Sequence, residues 1–185
     1  MNPQANLSKL LALAAEGDQY SFGEFYQLHL NEIYRYIFFR VNDHNEAEDL
    51  TAKVFLEAWE SLTGARRGQK IKNIRAWIYR IARNKVTDHH RTRKPEEPID
   101  DNPDKKLQGD WLERELDDLF ISRKLAQGVR QLQANYQEVI ILRFINQMSH
   151  AEVAEIMNIT ESHVRVLQYR ALQKMREIIS EVNNE

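Results

Sequence analysis

No cysteine occurs among the 185 residues, which excludes disulfides, zinc-thiolate sites and cysteine nucleophiles and is compatible with a reducing cytoplasm. Glycine and proline are scarce, at six and four. No glycine-rich phosphate loop, nucleophile elbow or H-E-x-x-H is present, so the common phosphate-binding and hydrolytic signatures are missing and no metal or cofactor is expected. Long hydrophobic runs are absent as well. The apolar run Leu10-Leu11-Ala12-Leu13-Ala14-Ala15 is far short of the ~20 residues of a membrane span and has no basic leader. It reads as an amphipathic first helix of a soluble cytoplasmic protein with no membrane partner. Strand-like alternation is missing too. What remains is 42% apolar residues, enough for the cores of one domain or two small ones.

The formal charge of -2 hides a strong alternation along the chain. Residues 1–60 carry 4 basic and 10 acidic side chains, net -6. Residues 61–95 carry 11 and 1, net +10, whereas 96–127 carry 5 and 10, net -5. The remainder, 128–185, has 6 and 7, net -1. A single basic block inside an acidic chain points to a polyanion site there, the alternative being a solvated basic helix.

Three of the four prolines, Pro95, Pro98 and Pro103, fall in KPEEPIDDNPDKKLQGD, a polar stretch without apolar periodicity that reads as an extended linker. Before it, Phe22, Phe25, Tyr26, His29, Ile33, Tyr36 and Ile37 form one helical stripe, and Leu50, Val54, Phe55, Ala58 and Trp59 another. After it, helices are predicted near 110–127, 134–145, 149–157 and 160–179. The predicted fold is therefore all-α, two small helical domains joined by a flexible linker.

Within the second domain, AEVAEIMNITESHVRVLQYR (151–170) has the pattern of a helix-turn-helix. Val153, Met157, Ile159, Val164 and Leu167 fit two packed helices, with Ala154 small at their close approach. Ser149 and Glu152 have the spacing of a capping box, Asn158 suits a left-handed stop, and Thr160 can cap the next helix. Steps of roughly 100° per residue put Val164, Ala171, Met175 and Ile178 on one side of that helix. Ser162, Val166, Tyr169 and Gln173 then face away, flanked by Arg165 and Arg176 on one side and His163, Arg170 and Lys174 on the other. Such a face suits a DNA groove; an ordinary hairpin with a solvated face is the alternative.

Together with this pattern, EAEDLTAKVFLEAW (46–59) and IRAWIYRIARNKVTDHHR (74–91) resemble a bacterial RNA polymerase sigma factor of the extracytoplasmic-function (ECF) type. The resemblance covers almost the whole chain. It implies residues 1–94 as a region 2 domain, 95–127 as the acidic linker with an entry helix, and 128–185 as a region 4 helix-turn-helix domain. It also implies a detachable polymerase subunit that reads two promoter elements, opens the DNA and is not an enzyme. The expected partners are promoter DNA and the polymerase core, through the clamp helices of the largest subunit and the flap of the second largest. An anti-sigma protein is a further candidate partner.

Carried over position by position, Asp49, Leu50, Val54, Phe55, Leu56 and Trp59 correspond to the helix that docks on the clamp helices, with Glu48 and Asp49 offering exposed charge. Phe55 and Trp59 read first as core aromatics, since helical aromatic stripes usually pack inward, and second as partner contacts. Family members commonly carry a polar-acidic pair where this chain has Ala52-Lys53. Arg75, Arg80, Arg83, Lys85 and Arg91 correspond to phosphate contacts at the minus-10 element, and Asn84 to a position that reads an extruded base. The preceding loop, with Arg66, Arg67, Lys70 and Lys72, corresponds to the pocket for that base. Trp77 is a stacking candidate or a core residue. At the minus-35 element the resemblance places Thr160, Ser162, His163, Arg165, Val166 and Tyr169 at or near the groove, and Arg170 and Lys174 on phosphates.

Other classes fit less of the sequence. A self-standing helix-turn-helix repressor accounts for 149–179 but not for the docking-like helix or the basic block. An interaction module that keeps the sigma fold is a third reading. Asp88-His89-His90 spells a phosphoesterase tripeptide, yet metal hydrolysis needs further carboxylates and this triplet lies in a basic helix.

Overall fold

The computed structural model describes residues 3–64, 71–92 and 128–182, and every regular element among them is helical. The predicted helix near 110–127 lies outside these residues. The chain divides into two compact units, Met1–Ile37 with Asn45–Arg93, and Phe38–His44 with Lys94–Glu185.

The first unit is built on α1 (Pro3–Ala15), α2 (Gln19–Val41) up to Ile37, α3 (His44–Thr63) from Asn45 and α4 (Ile74–Thr92), the end of α2 and His44 belonging to the second unit. Gly17, at φ 98°, ends α1 in a conformation that a side chain would disfavour. Asp18 then starts α2: its carboxylate accepts from the Ser21 hydroxyl and backbone N–H, and chiefly that hydroxyl holds its pKa below the ordinary value. Asn42, at φ 57°, turns the chain between α2 and α3. Asn73 opens α4 by accepting from the Ala76 N–H at 3.1 Å.

The predicted stripes become the core of this unit. Phe25, Ile33, Tyr36 and Ile37 of α2 are buried with Ala47, Leu50, Val54, Phe55 and Ala58 of α3. From α4 come Ala76, Ile78, Tyr79, Ala82 and Val86. Phe55 lies against Tyr26, with ring centroids 4.7 Å apart, and Trp59 against Phe22 at 5.1 Å. Trp77, half-buried, is 6.2 Å from Phe25, so its ring packs within the unit.

In the second unit, α5 (Ala134–Ile140) runs into one π-helical segment, Ile141–Ile145, where the sequence predicted unbroken α-helix. The Asn146 N–H reaches back to Ile141 at 2.9 Å and the Met148 N–H to Leu142 at 3.0 Å. This wider turn buries Ile141, Leu142 and Ile145 while leaving Arg143 half-exposed and Phe144 exposed. Also within the unit, Gln137 donates to the Phe39 carbonyl at 3.1 Å and the buried Glu138 pairs with Arg40 at 3.5 Å. Then follow α6 (His150–Met157) and α7 (Glu161–Val182).

Candidate nucleic-acid interface

The turn between α6 and α7 forms as the local sequence dictates. Ser149 accepts from the Glu152 N–H while Glu152 accepts from the Ser149 N–H, completing the capping box. Asn158 stops α6 at φ 55°, ψ 48°, and its N–H and that of Ile159 both go to the Ala154 carbonyl. Thr160 accepts from the His163 N–H at 3.3 Å, starting α7. Val153, Ala154, Ile156 and Met157 of α6 and Val164, Leu167, Ala171, Met175 and Ile178 of α7 are buried.

The outward face of α7 is the one that periodicity predicted. Ser162, His163, Arg165, Val166, Tyr169, Arg170, Gln173, Lys174 and Arg176 are all exposed. Two of its cations are held by carboxylates of the same helix: Arg165 meets Glu161 at 3.3 Å and Lys174 meets Glu177 at 2.8 Å. Both pairs are solvated, so each contributes only about 0–1 kcal/mol and yields readily to a phosphate.

One cluster here escaped the sequence reading. The side-chain oxygen of Gln168 accepts from Arg143 Nε at 3.0 Å and lies 3.1 Å from His150 Nε2, which ties α7 to the π-helical segment and to the start of α6. Because that oxygen can only accept, His150 carries its proton on Nε2 in this arrangement. The three residues are far apart in sequence and none belongs to an apolar stripe, so only a prediction of the π-helical turn could have brought them together.

The basic helix α4 sorts its candidates into two kinds. Arg80, Asn84, Thr87 and Arg91 follow one exposed line, with Arg91 paired to Asp88 at 3.0 Å. Arg75 and Lys85 instead hold the unit together. Arg75 makes two contacts to Glu32 of α2, at 3.1 and 3.2 Å, and Lys85 pairs with Glu57 of α3. Arg83 is half-exposed and Lys72, just before α4, is exposed. Arg66, Arg67 and Lys70 lie outside the described residues. His89 lies 3.2 Å from Glu46, and among the described residues no group of three or more His, Asp or Glu side chains could hold a metal ion.

The docking candidates divide in the same way. Glu48, Asp49 and Leu56 are exposed, Leu56 by 57%, and Trp59 is half-buried. Leu50, Val54 and Phe55 point into the core, since their spacing is that of the buried stripe of α3; in this conformation they support the outward face rather than forming it. Lys53, the departure noted above, reaches Asp49 at 3.3 Å and partly neutralises it.

Comparison with known proteins matches a family model to each part of the chain. Sigma-70 region 2 matches residues 25–96, which contain α3 and α4, and Sigma-70, region 4 matches residues 128–177, which contain the helix-turn-helix. The ECF RNA polymerase sigma factor BldN of Streptomyces coelicolor is 31% identical over 95% of this chain, which spans 66% of BldN. The ECF RNA polymerase sigma factor SigM of Bacillus subtilis is 26% identical over 88% of this chain and 98% of its own length. Among solved structures, CnrH in complex with the cytosolic domain of CnrY has the same fold, with a TM-score of 0.72 and 23% identity over 95% of this chain and 98% of that one. With both sigma regions present in order and relatives of one type matching over most of this chain, the chain belongs to the RNA polymerase sigma factors of the ECF type.

Proposed function

We propose that this alternative sigma factor directs polymerase to its promoters through three separate surfaces. The outward face of α7 reads the minus-35 element, the exposed line Arg80, Asn84, Thr87 and Arg91 of α4 meets the minus-10 element, and Glu48, Asp49 and Leu56 of α3 face the polymerase core. The observation that carries this reading is the geometry of α7: its hydrogen-bonding and cationic side chains lie opposite its buried stripe, next to a tightly capped turn. The repressor reading is not favoured, because it does not account for a region 2 match over the docking and basic helices, and the interaction-module reading is not favoured, because the relatives this chain resembles are themselves sigma factors.

In this scheme residues 1–94 bind core and open DNA, residues 128–185 hold the upstream element, and 95–127 connect them. Asn84 offers an amide to an extruded base, worth about 1 to 3 kcal/mol of discrimination if both its hydrogen bonds form. The factor acts in the cytoplasm and performs no covalent chemistry; no described helix is long and apolar enough to cross a membrane. An anti-sigma protein is the inhibitor class that suits it. Run-off transcription with core polymerase on the DNA upstream of its own gene is the direct test. A transcript that depends on the factor and on both promoter elements is expected, and no start above core alone would overturn the reading.

A further inference from the structure

The middle of the α7 face that points away from the core is apolar. Val166 is 45% exposed and Tyr169 64% exposed, three residues apart and so neighbours on one side of the helix. Single exposed apolar residues are ordinary on a surface. These two are not scattered: they sit side by side between flanks that carry Arg165, Arg170, Lys174 and Arg176.

The polar groups beside them make local contacts along the helix, solvated ones that DNA can replace. The Tyr169 hydroxyl accepts from Gln173 at 2.7 Å, Ser162 shares a hydrogen bond with Thr160 at 3.0 Å, and Arg165 is held by Glu161. What the centre of the face presents is an isopropyl group and an aromatic ring. In the major groove the apolar feature of the base pairs is the 5-methyl group of thymine, which every other base lacks. The flanking cations can hold the helix to the phosphates on either side, leaving the apolar centre against the base edges.

We propose that Val166 and the ring of Tyr169 form a seat for thymine methyl groups, so that part of the minus-35 element is read by its methyls rather than by hydrogen bonds. This rests on α7 being the minus-35 helix. It divides the labour on one face: Arg165 is the candidate for a guanine edge, and the apolar pair selects thymine beside it.

The test uses holoenzyme assembled from the full chain and core polymerase. A duplex library randomised over the minus-35 region is selected for binding, and each thymine of the selected duplex is then replaced by deoxyuridine. That change keeps the pairing and every hydrogen-bonding group while removing only the methyl. At one or two positions the replacement is expected to weaken binding about four-fold, the weight of one buried methyl group. Val166→Ala and Tyr169→Ala, each with unchanged affinity for core as the control for folding, are expected to bind the thymine and uracil duplexes nearly equally. Uracil tolerated at every position, or a full thymine preference in both variants, overturns the methyl seat while leaving the minus-35 reading intact. A library that returns no minus-35 preference overturns both.

Discussion

At the scale of single residues, His29 is the least ordinary member of the first core. It is buried, its ring lies 4.7 Å from that of Phe25, and neither ring nitrogen has a hydrogen-bond partner among the described residues. Burial pushes its pKa below the ordinary value; the Glu32 carboxylate opposes that shift and the Arg75 guanidinium adds to it. The unfolded chain takes up a proton near pH ~6.5 and the folded one resists it, so the unfolded state binds more protons below that point. Stability is fully present above pH ~6.5 and is lost as pH falls toward the depressed folded value. Thermal unfolding followed between about pH 7.5 and about pH 5.5 is expected to show a falling Tm, and His29→Phe, which keeps the ring contact and cannot titrate, is expected to flatten that slope. Identical slopes in the two proteins would clear His29 of the effect. Asn158 is the opposite case, a residue whose role the sequence states openly. Its left-handed conformation is strained for a β-branched side chain, so Asn158→Val is expected to lower stability by about 1–2 kcal/mol in urea unfolding, with Asn158→Gly tolerated. A Val variant as stable as the parent would mean that the turn relaxes elsewhere.

At the scale of elements, what could be read from the sequence was what local chemistry determines. The Ser149–Glu152 capping box, the stop at Asn158 and the buried face of α7 all follow from residues within one or two turns of each other. The apolar stripes of α2 and α3 were legible for the same reason. The partners of the cations were not: Arg75 is held by Glu32 from α2 and Lys85 by Glu57 from α3, pairings set by how three helices pack. A count of basic residues in α4 therefore overstates how many face outward. The π-helical turn was hidden as well, and with it the Arg143–Gln168–His150 cluster, because an apolar run of that length looks the same in α and π geometry. On α7 the exposed pairs Arg165–Glu161 and Lys174–Glu177 are too weak to withhold either cation from DNA, so position along the helix decides what each does. Arg165 lies in the first turns, where a recognition helix meets base edges, and Lys174 about two and a half turns later, where it passes the backbone. Arg165→Ala is expected to change which minus-35 variants the holoenzyme prefers. Lys174→Ala is expected to weaken all of them alike and to reduce the salt slope by about one. Binding series over minus-35 substitutions at two salt concentrations distinguish the two, and parallel losses for both variants would reduce Arg165 to a phosphate contact.

At the scale of the whole molecule, charge is partitioned along the chain, and in the proposed scheme the acidic and basic stretches meet different partners. Residues 1–60, which include most of α3, carry net -6, and residues 61–95, most of them in or near α4, carry net +10. An acidic face attracts a basic protein surface and repels DNA, whereas the basic helix does the reverse, so the two surfaces are kept from exchanging partners. The docking face should then depend on its outward charge and on Leu56, its exposed large apolar side chain. Asp49 and Leu56 are exposed on the same helix, seven residues apart and therefore on one side, whereas Leu50 is buried and its replacement would damage the fold rather than report on docking. Asp49→Lys combined with Leu56→Glu is expected to weaken core affinity about ten-fold or more, as for loss of an apolar anchor together with a reversed charge. Lys53 makes the counter-test. Its ammonium reaches Asp49 at 3.3 Å and both side chains are largely exposed, so Lys53→Glu removes a cation from the acidic face and is expected to leave core affinity unchanged or tighten it. Fluorescence anisotropy of labelled full-length chain titrated with core polymerase measures both, with thermal unfolding as the check that each variant is folded. A folded double variant that binds core as tightly as the parent would take the docking surface off this face of α3. A Lys53→Glu variant that binds much more weakly would mean that the core presents an acidic surface there, and that the Ala52-Lys53 pair is an adaptation to it.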